Sequence, residues 1–346
     1  MAVAAKNARY RFTFGPWNIS PGADPFGPPV RKELAFAAKL REYRKLGFDG
    51  VQFHDDDAVP DLDQDPSAIE KTAAKVKKLL DGEGLFCEFV APRLWEHPRT
   101  IDGGYTSNSA AERRYALERS KKAVDVARAL GCRDIVLWLA REGTYVREAK
   151  DPITAVGRIV DAANALLEHD KTIRLLGEMK PNEPMDQAYL PTPGHWLGLS
   201  YRTADPGRVG TLIESAHSIL AGLDPSDDMA YALWHGKLWS VHLNDQNGLK
   251  YDQDKSFGSV DLRRAFNTIW VLERGGYDGY VGLDVKPMRT TRPADQTKHL
   301  ANSREMFLKL LDVVRSVDTA KVEEFRAERD YEGLEMYVLE HLLGKS

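Results

Sequence analysis

Eight short apolar runs punctuate this chain, and each gap between them is long enough for a helix. The runs are YRFTFG (10–15), GVQFH (50–54), LFCEFV (85–90), DIVLWLA (134–140), IRLLGEM (173–179), RVGTLI (208–213), KLWSVHL (237–243) and YVGLDV (280–285). Runs this short, rich in β-branched and aromatic residues, read as buried strands. Helix signals fill the gaps. Ser67-Ala-Ile-Glu70 reads as a capping box, after which Ile69, Ala73, Val76 and Leu80 share one face. Ser109-Ala-Ala-Glu112 opens the next helix, and Asp151-Pro152 supplies a cap followed by proline at the first helical position. Several helices end at glycine, in KLGFDG, LDGEG, ALGC and ERGGYDG. Eight strand–helix units predict an α/β chain closed into a (β/α)8 TIM barrel rather than an open sheet. The sixth unit is the weakest, because HWLGLSYRTADPG ahead of its strand is a poor helix. A last helix is expected at about 297–317. The reading is a catalytic barrel domain, 1–318, and a C-terminal extension arm, 319–346, too polar for core, that packs on the barrel or on a neighbouring subunit. NISPGADPFGPPV (18–30) is a Pro/Gly-rich loop after the first strand.

Composition narrows the function classes. The chain is 42% hydrophobic and 29% charged, with net charge −4 and no basic tract, which argues against nucleic acid as a main partner. MAVAAKNARYRFTFG has no apolar core of a signal sequence and no long apolar run follows, so neither secretion nor a membrane span is expected. Cys87 and Cys132 lack CxxC spacing and lie in or beside apolar stretches; they read as reduced, packed thiols of a cytoplasmic protein.

In such a barrel, side chains at the C-terminal ends of the strands face the active site. In chain order these are Trp17; His54 with Asp55, Asp56 and Asp57; Arg93 and Trp95; Trp138; Glu178 and Lys180; Glu214 and His217; His242 with Asp252 and Asp254; Asp284 and Lys286. Glu178, Glu214, His217, His242, Asp252, Asp254 and Asp284 would converge on one mouth. Carboxylates gathered in one pocket resist joint ionisation unless cations share it. Oxygen-rich ligands with two imidazoles suit Mg2+, Mn2+ or Co2+ better than a thiolate zinc site. Bland readings compete: an Asp pair in a Gly/Asn loop is usually a turn device, and Trp17, Trp95 and Trp138 are often packing. Acidic residues inside apolar runs, such as Glu178 and Asp284, are harder to dismiss. The convergence of four consecutive strands favours the metal site.

The motifs RFTFGPW, DPFG, GVQFHDDDAVP, HPRTIDGGYTSN, LWLAREG, GEMKPNEP, LPTPGH, ESAH, LNDQNGLKYDQD, LDVKPMRT and MYVLEHLLG run in order along nearly the whole chain. They resemble the D-xylose (glucose) isomerases, in particular the actinobacterial type. The resemblance implies an aldose–ketose isomerase, usually tetrameric, with two divalent metal ions. It would convert D-xylose to D-xylulose and D-glucose to D-fructose by ring opening and a metal-assisted 1,2-hydride shift. Carried over by motif, Glu178, Glu214, His242 and Asp284 would hold one ion. Glu214 would bridge to a second, shared with His217, Asp252 and Asp254. His54, oriented by Asp57, would assist ring opening, and Lys180 would hydrogen-bond the substrate oxygen at the reacting end. Trp17 and Trp138 would line the sugar, and Phe26 would reach into a neighbour's site.

This chain also departs from the resemblance. The family has Asp where this chain has His242; related epimerase-like barrels use His there. The family's Thr-Thr-Asn is Ala91-Pro92-Arg93, and the following substrate-facing aromatic, usually Phe, is Trp95. The loop after the first strand is shorter and the arm is abbreviated. These changes touch the sugar pocket, where Arg93 and Trp95 stand, and the subunit contacts. An isomerase or epimerase of another free sugar is the alternative. A metal-dependent hydrolase of the endonuclease type and an inactive sugar-binding paralogue rank below it.

Overall fold

The computed structural model describes residues 10–24, 26–249 and 251–344. The N-terminal stretch read for a signal sequence thus lies largely outside the described residues. All eight apolar runs form strands: β1 (Arg11–Phe14), β2 (Gly50–His54), β3 (Phe86–Ala91), β4 (Asp134–Trp138), β5 (Arg174–Glu178), β6 (Val209–Glu214), β7 (Leu238–Leu243) and β8 (Tyr280–Leu283). They pair in parallel, each with its sequence neighbours, and β1 pairs with β8 to close the barrel. The matching helices are α1 (Phe36–Lys45), α2 (Pro66–Glu83), α3 (Ala110–Ala129), α4 (Pro152–His169), α5 (Pro193–Ser200), α6 (Pro225–Trp234), α7 (Leu262–Arg274) and α8 (Lys298–Ser316). The strands are buried on both faces, which is why their sequences are continuous apolar runs rather than alternating ones.

The caps hold with one correction. Ser109 accepts from Glu112 N and Asp151 from Ile153 N. Ser67 does not open α2: that helix starts at Pro66 after Asp65, because proline is pre-organised for the first helical position. Gly84 ends α2 in the left-handed region, at φ 66°. The weak sixth-unit helix exists as α5, two turns long. It is fixed by tertiary packing: Trp196 is fully buried and donates to the carbonyl of Gly210 (2.6 Å). Gly177 makes room for that indole, since a Cβ there would stand 2.3 Å from its ring. After Ser316 the chain forms α9 (Thr319–Glu328) and α10 (Tyr331–Leu342), and α10 lies against α8. Val322 and Val338 join the hydrophobic core, and Asp318 N donates to the Tyr337 hydroxyl (3.1 Å). Among the described residues no helix is long and apolar enough to cross a membrane. Both cysteines are free thiols, Cys87 buried and Cys132 partly so.

Candidate metal centre and sugar site

Strands β5 to β8 deliver the acidic side chains to one point. Glu178 and Glu214 are the last residues of β5 and β6, His242 lies on β7 in register with Glu214, and Asp284 follows β8 directly. His242 Nδ1 stands 3.1 Å from Glu178 Oε1, 3.7 Å from Glu214 Oε2 and 3.8 Å from Asp284 Oδ2. One ligand atom from each of these residues lies within 4.8 Å of the others. Gly282 on the neighbouring strand matters here, because a Cβ on it would come within 2.7 Å of the imidazole.

A second group shares Glu214. The helix Ser215–Leu220 starts directly after β6 and brings His217 back over Glu214, with Nε2 at 3.3 Å from Oε1. Asp252 completes the group, its Oδ2 at 3.0 Å from His217 Nε2 and 3.1 Å from Lys180 Nζ. Asp254 does not join it. Asp252 and Asp254 would point the same way in extended chain, but Asp254 has φ 45°, which breaks the alternation. Its carboxylate pairs with Lys286 instead.

The charges explain the strain in this cluster. No Lys or Arg among the described residues forms an ion pair with Glu178, Glu214 or Asp284; histidines are their only ionic partners. Burial and the nearby charges of Asp252, Asp284 and Glu178 push Glu214 well above the usual carboxylate range. Burial opposes ionisation of Glu178 too, but contact with His242 outweighs it and brings the group to about 2. His242 rises well above its ordinary value, burial being overcome by Glu178, Glu214 and Asp284. The cluster holds protons where it lacks positive charge. Three carboxylates and one imidazole, with nitrogen Nδ1 facing the oxygens, form a donor set fit for a hard or borderline divalent cation. Asp252 Oδ1, buried without a partner among the described residues, fits a second one.

Aromatic residues, His54 and Arg93 line the other half of the mouth. Trp17 donates from Nε1 to Asp284 Oδ1 (2.8 Å) and stacks on His54, ring centroids 4.3 Å apart. Trp95 meets His54 edge-on at 5.0 Å and Trp138 at 4.5 Å. Lys180 Nζ lies 5.6 Å over the Trp138 ring. Asp57 Oδ2 stands 3.0 Å from His54 Nδ1. Arg93 is turned onto the acidic loop, with Nε 2.7 Å from Asp56 Oδ1 and Nη2 2.7 Å from His54 Nδ1. Phe26 is 74% exposed at the rim, its ring 5.9 Å from that of Tyr251.

Four further contributors escaped the reading of strand ends. Asn244 donates to Glu214 Oε1 (2.7 Å) and to the carbonyl of Asp284 (3.0 Å), while its own oxygen accepts from Ala216 N (2.8 Å). Its place directly after β7 was the available signal. Glu183 accepts from Lys180 (2.6 Å) and from Asp252 N (3.1 Å). Arg119 grips Asp55 through two nitrogens, each at 2.8 Å. Glu88 lies in the barrel interior, accepting from Ser240 (2.5 Å) and Gln52 (2.9 Å); an acidic residue inside LFCEFV marked it.

Comparison with known proteins agrees with this architecture. Solved structures similar to this chain include a D-tagatose 3-epimerase-like protein: 15% identical, TM-score 0.63, covering 87% of this chain and 98% of that one. The 3-keto-D-glucoside 4-epimerase of E. coli is 15% identical, with TM-score 0.59 over 89% of this chain and 100% of that one. A xylose isomerase domain protein from Alicyclobacillus acidocaldarius subsp. acidocaldarius is 16% identical, with TM-score 0.62 over 89% and 99%. At such identities the likeness carries the fold alone. The family model described as xylose isomerase-like TIM barrel matches residues 40–311, most of the chain, and this protein belongs to that family.

Proposed function

We propose that this chain is a divalent-ion-dependent isomerase or epimerase of a free monosaccharide, moving a hydrogen at the carbon beside the sugar's carbonyl. The observation that carries the reading is the set Glu178, Glu214, His242 and Asp284, gathered at the barrel mouth beside a wall of Trp17, Trp95 and Trp138. An ion held there would polarise the substrate carbonyl and stabilise the negative charge that develops on it. The tryptophans exclude water from the reacting carbons. Lys180, held between Glu183 and Asp252, presents an ammonium donor to a sugar oxygen at the same place. His217 and Asp252, with the shared Glu214, are proposed to hold a second, weaker ion, because lysines already balance the charge on this side. Phe26 and the segment from 319 onward are the parts proposed to meet a neighbouring subunit in a dimer or tetramer.

Two routes divide this reading. An epimerase is supported by His242 at the end of β7 and by the names of two similar structures, a D-tagatose 3-epimerase-like protein and a 3-keto-D-glucoside 4-epimerase. An aldose–ketose isomerase acting on D-xylose or D-glucose is supported by Lys180, an ammonium donor placed over Trp138 at the mouth. The test is a panel of aldoses and ketoses incubated in D2O with Mg2+, Mn2+ or Co2+ in turn, followed by product NMR. Epimerisation through proton transfer places deuterium at the inverted carbon. A 1,2-hydride shift leaves the ketose free of deuterium at C1. A panel in which no sugar is altered with any ion contradicts the reading.

A further inference from the structure

The two neighbours of His54 Nδ1 make opposite demands. Asp57 Oδ2, at 3.0 Å, can only accept, so it calls for a proton on Nδ1. Arg93 Nη2, at 2.7 Å, can only donate, so it calls for a bare Nδ1. A proton on Nδ1 would set two donors face to face across the shorter of these distances. Arg93 cannot easily step aside. Its Nε is bonded to Asp56 Oδ1 at 2.7 Å, Nη2 also reaches Asp57 Oδ1 at 3.3 Å, and Nη1 reaches Glu96 at 3.4 Å. Its guanidinium lies 5.4 Å over the Trp95 ring. Asp56 is itself braced by Arg119 (3.1 Å). Asp57 keeps other donors, from His54 N (3.0 Å) and from Arg93, and so does not need the imidazole proton.

We infer that Arg93 fixes His54 as the Nε2–H tautomer, and that the substrate is a sugar whose reacting carbonyl is not masked as a cyclic hemiacetal. The second half rests on the function proposed above. Opening a sugar ring takes a proton from the anomeric hydroxyl, forms the carbonyl, breaks the bond from the anomeric carbon to the ring oxygen, and returns a proton to that oxygen. A base for the first of these events needs an unprotonated nitrogen facing the sugar. With Nδ1 occupied by Arg93, Nε2 is the nitrogen left for a ligand, and in this tautomer it carries hydrogen. His54 can then donate to the ring oxygen, which the last of these events uses, but it cannot take the anomeric proton, so the first event has no base from this residue. A keto sugar with its carbonyl inside the pyranose ring needs no such step; an aldopyranose such as D-xylose does. Arg93 is thus a positioning residue that selects substrate through His54.

The test joins a spectrum to a rate. Long-range 1H–15N correlation on the histidine-labelled, Mg2+-loaded full chain reads the tautomer directly, and the inference expects Nε2–H in the wild type and Nδ1–H in Arg93→Asn. Turnover of 3-keto-D-glucose, reacting at its ring carbonyl, and of D-xylose is then compared, with Glu178→Gln as background. A positioned proton-transfer group contributes about 10²-fold or more, so the keto sugar should react at least about 100-fold faster in the wild type. In Arg93→Asn that gap should narrow by about tenfold. An Nδ1–H signal in the wild type overturns the inference, as does equal turnover of both sugars. Should Arg93→Asn fail to fold, the wild-type spectrum alone decides the tautomer. If His54 is Nε2–H but neither sugar reacts, the tautomer stands and the substrate class falls, while the sugar-rearranging function falls only if the full panel of sugars and ions is also unaltered.

Discussion

Two sets of three acidic residues at the barrel mouth are treated differently. On the side of β2 and β3, Asp55, Asp56 and Asp57 are matched by Arg93 and Arg119, with Asp55 wholly buried against Arg119. On the side of β5 to β8, histidines are the only ionic partners of Glu178, Glu214 and Asp284 among the described residues. The first set is complete as protein. The second set has no lysine or arginine paired with it among the described residues, and its donors fit a divalent cation. Carboxylates at strand ends therefore fall into two kinds, those paired with arginine and those grouped with histidine.

That contrast can be broken by removing one group from each side. Arg119→Met strands the buried Asp55 carboxylate. It should cost about 3–5 kcal/mol in urea unfolding while leaving Mn2+ affinity within about twofold. Glu214→Gln should behave in the opposite way: the ion-free protein keeps or gains stability, because like charges are relieved, while Mn2+ affinity measured by calorimetry falls by about 100-fold or more. If both variants lose stability alike and neither loses the ion, the two sets do not differ in kind.

Finer substitutions sharpen the contrast within the candidate ion site. His242→Asp makes that pocket more anionic and harder. It should move the Mg2+-to-Mn2+ affinity ratio toward Mg2+ by about tenfold, or ~1.4 kcal/mol. An unchanged ratio would mean that Nδ1 is not a ligand. Lys286→Met frees the Asp254 carboxylate, which should raise second-ion affinity by about fivefold. It should also cost the ion-free protein about 1–2 kcal/mol, less than a fully buried pair because Lys286 is half-exposed. A titration in which Lys286→Met and wild type coincide would show that Asp254 takes no part.

The barrel was legible because its strands are buried on both faces and so spell continuous apolar runs. Glu178, Glu214 and Asp284 were legible because acidic residues at the ends of such runs have few structural excuses. What the sequence concealed were contacts between distant segments. Arg93 and Arg119 reach Asp55–Asp57 from elements 36 to 64 positions away, so nothing local marks the loop as neutralised. Asp254 stands at a positive φ and pairs with Lys286, a contact between loops that nothing local marks. Helix α5 owes its existence to the burial of Trp196 over Gly177, which local propensity does not register.

The central claim is that Glu178, Glu214, His242 and Asp284 form the principal ion site. Calorimetric titration of the metal-stripped full chain with Mn2+ tests it most directly, run beside Glu178→Gln. The account predicts a tight first ion that is lost in Glu178→Gln, followed by a weaker one. A wild-type isotherm with no tight ion, or a tight ion that survives in Glu178→Gln, would contradict it.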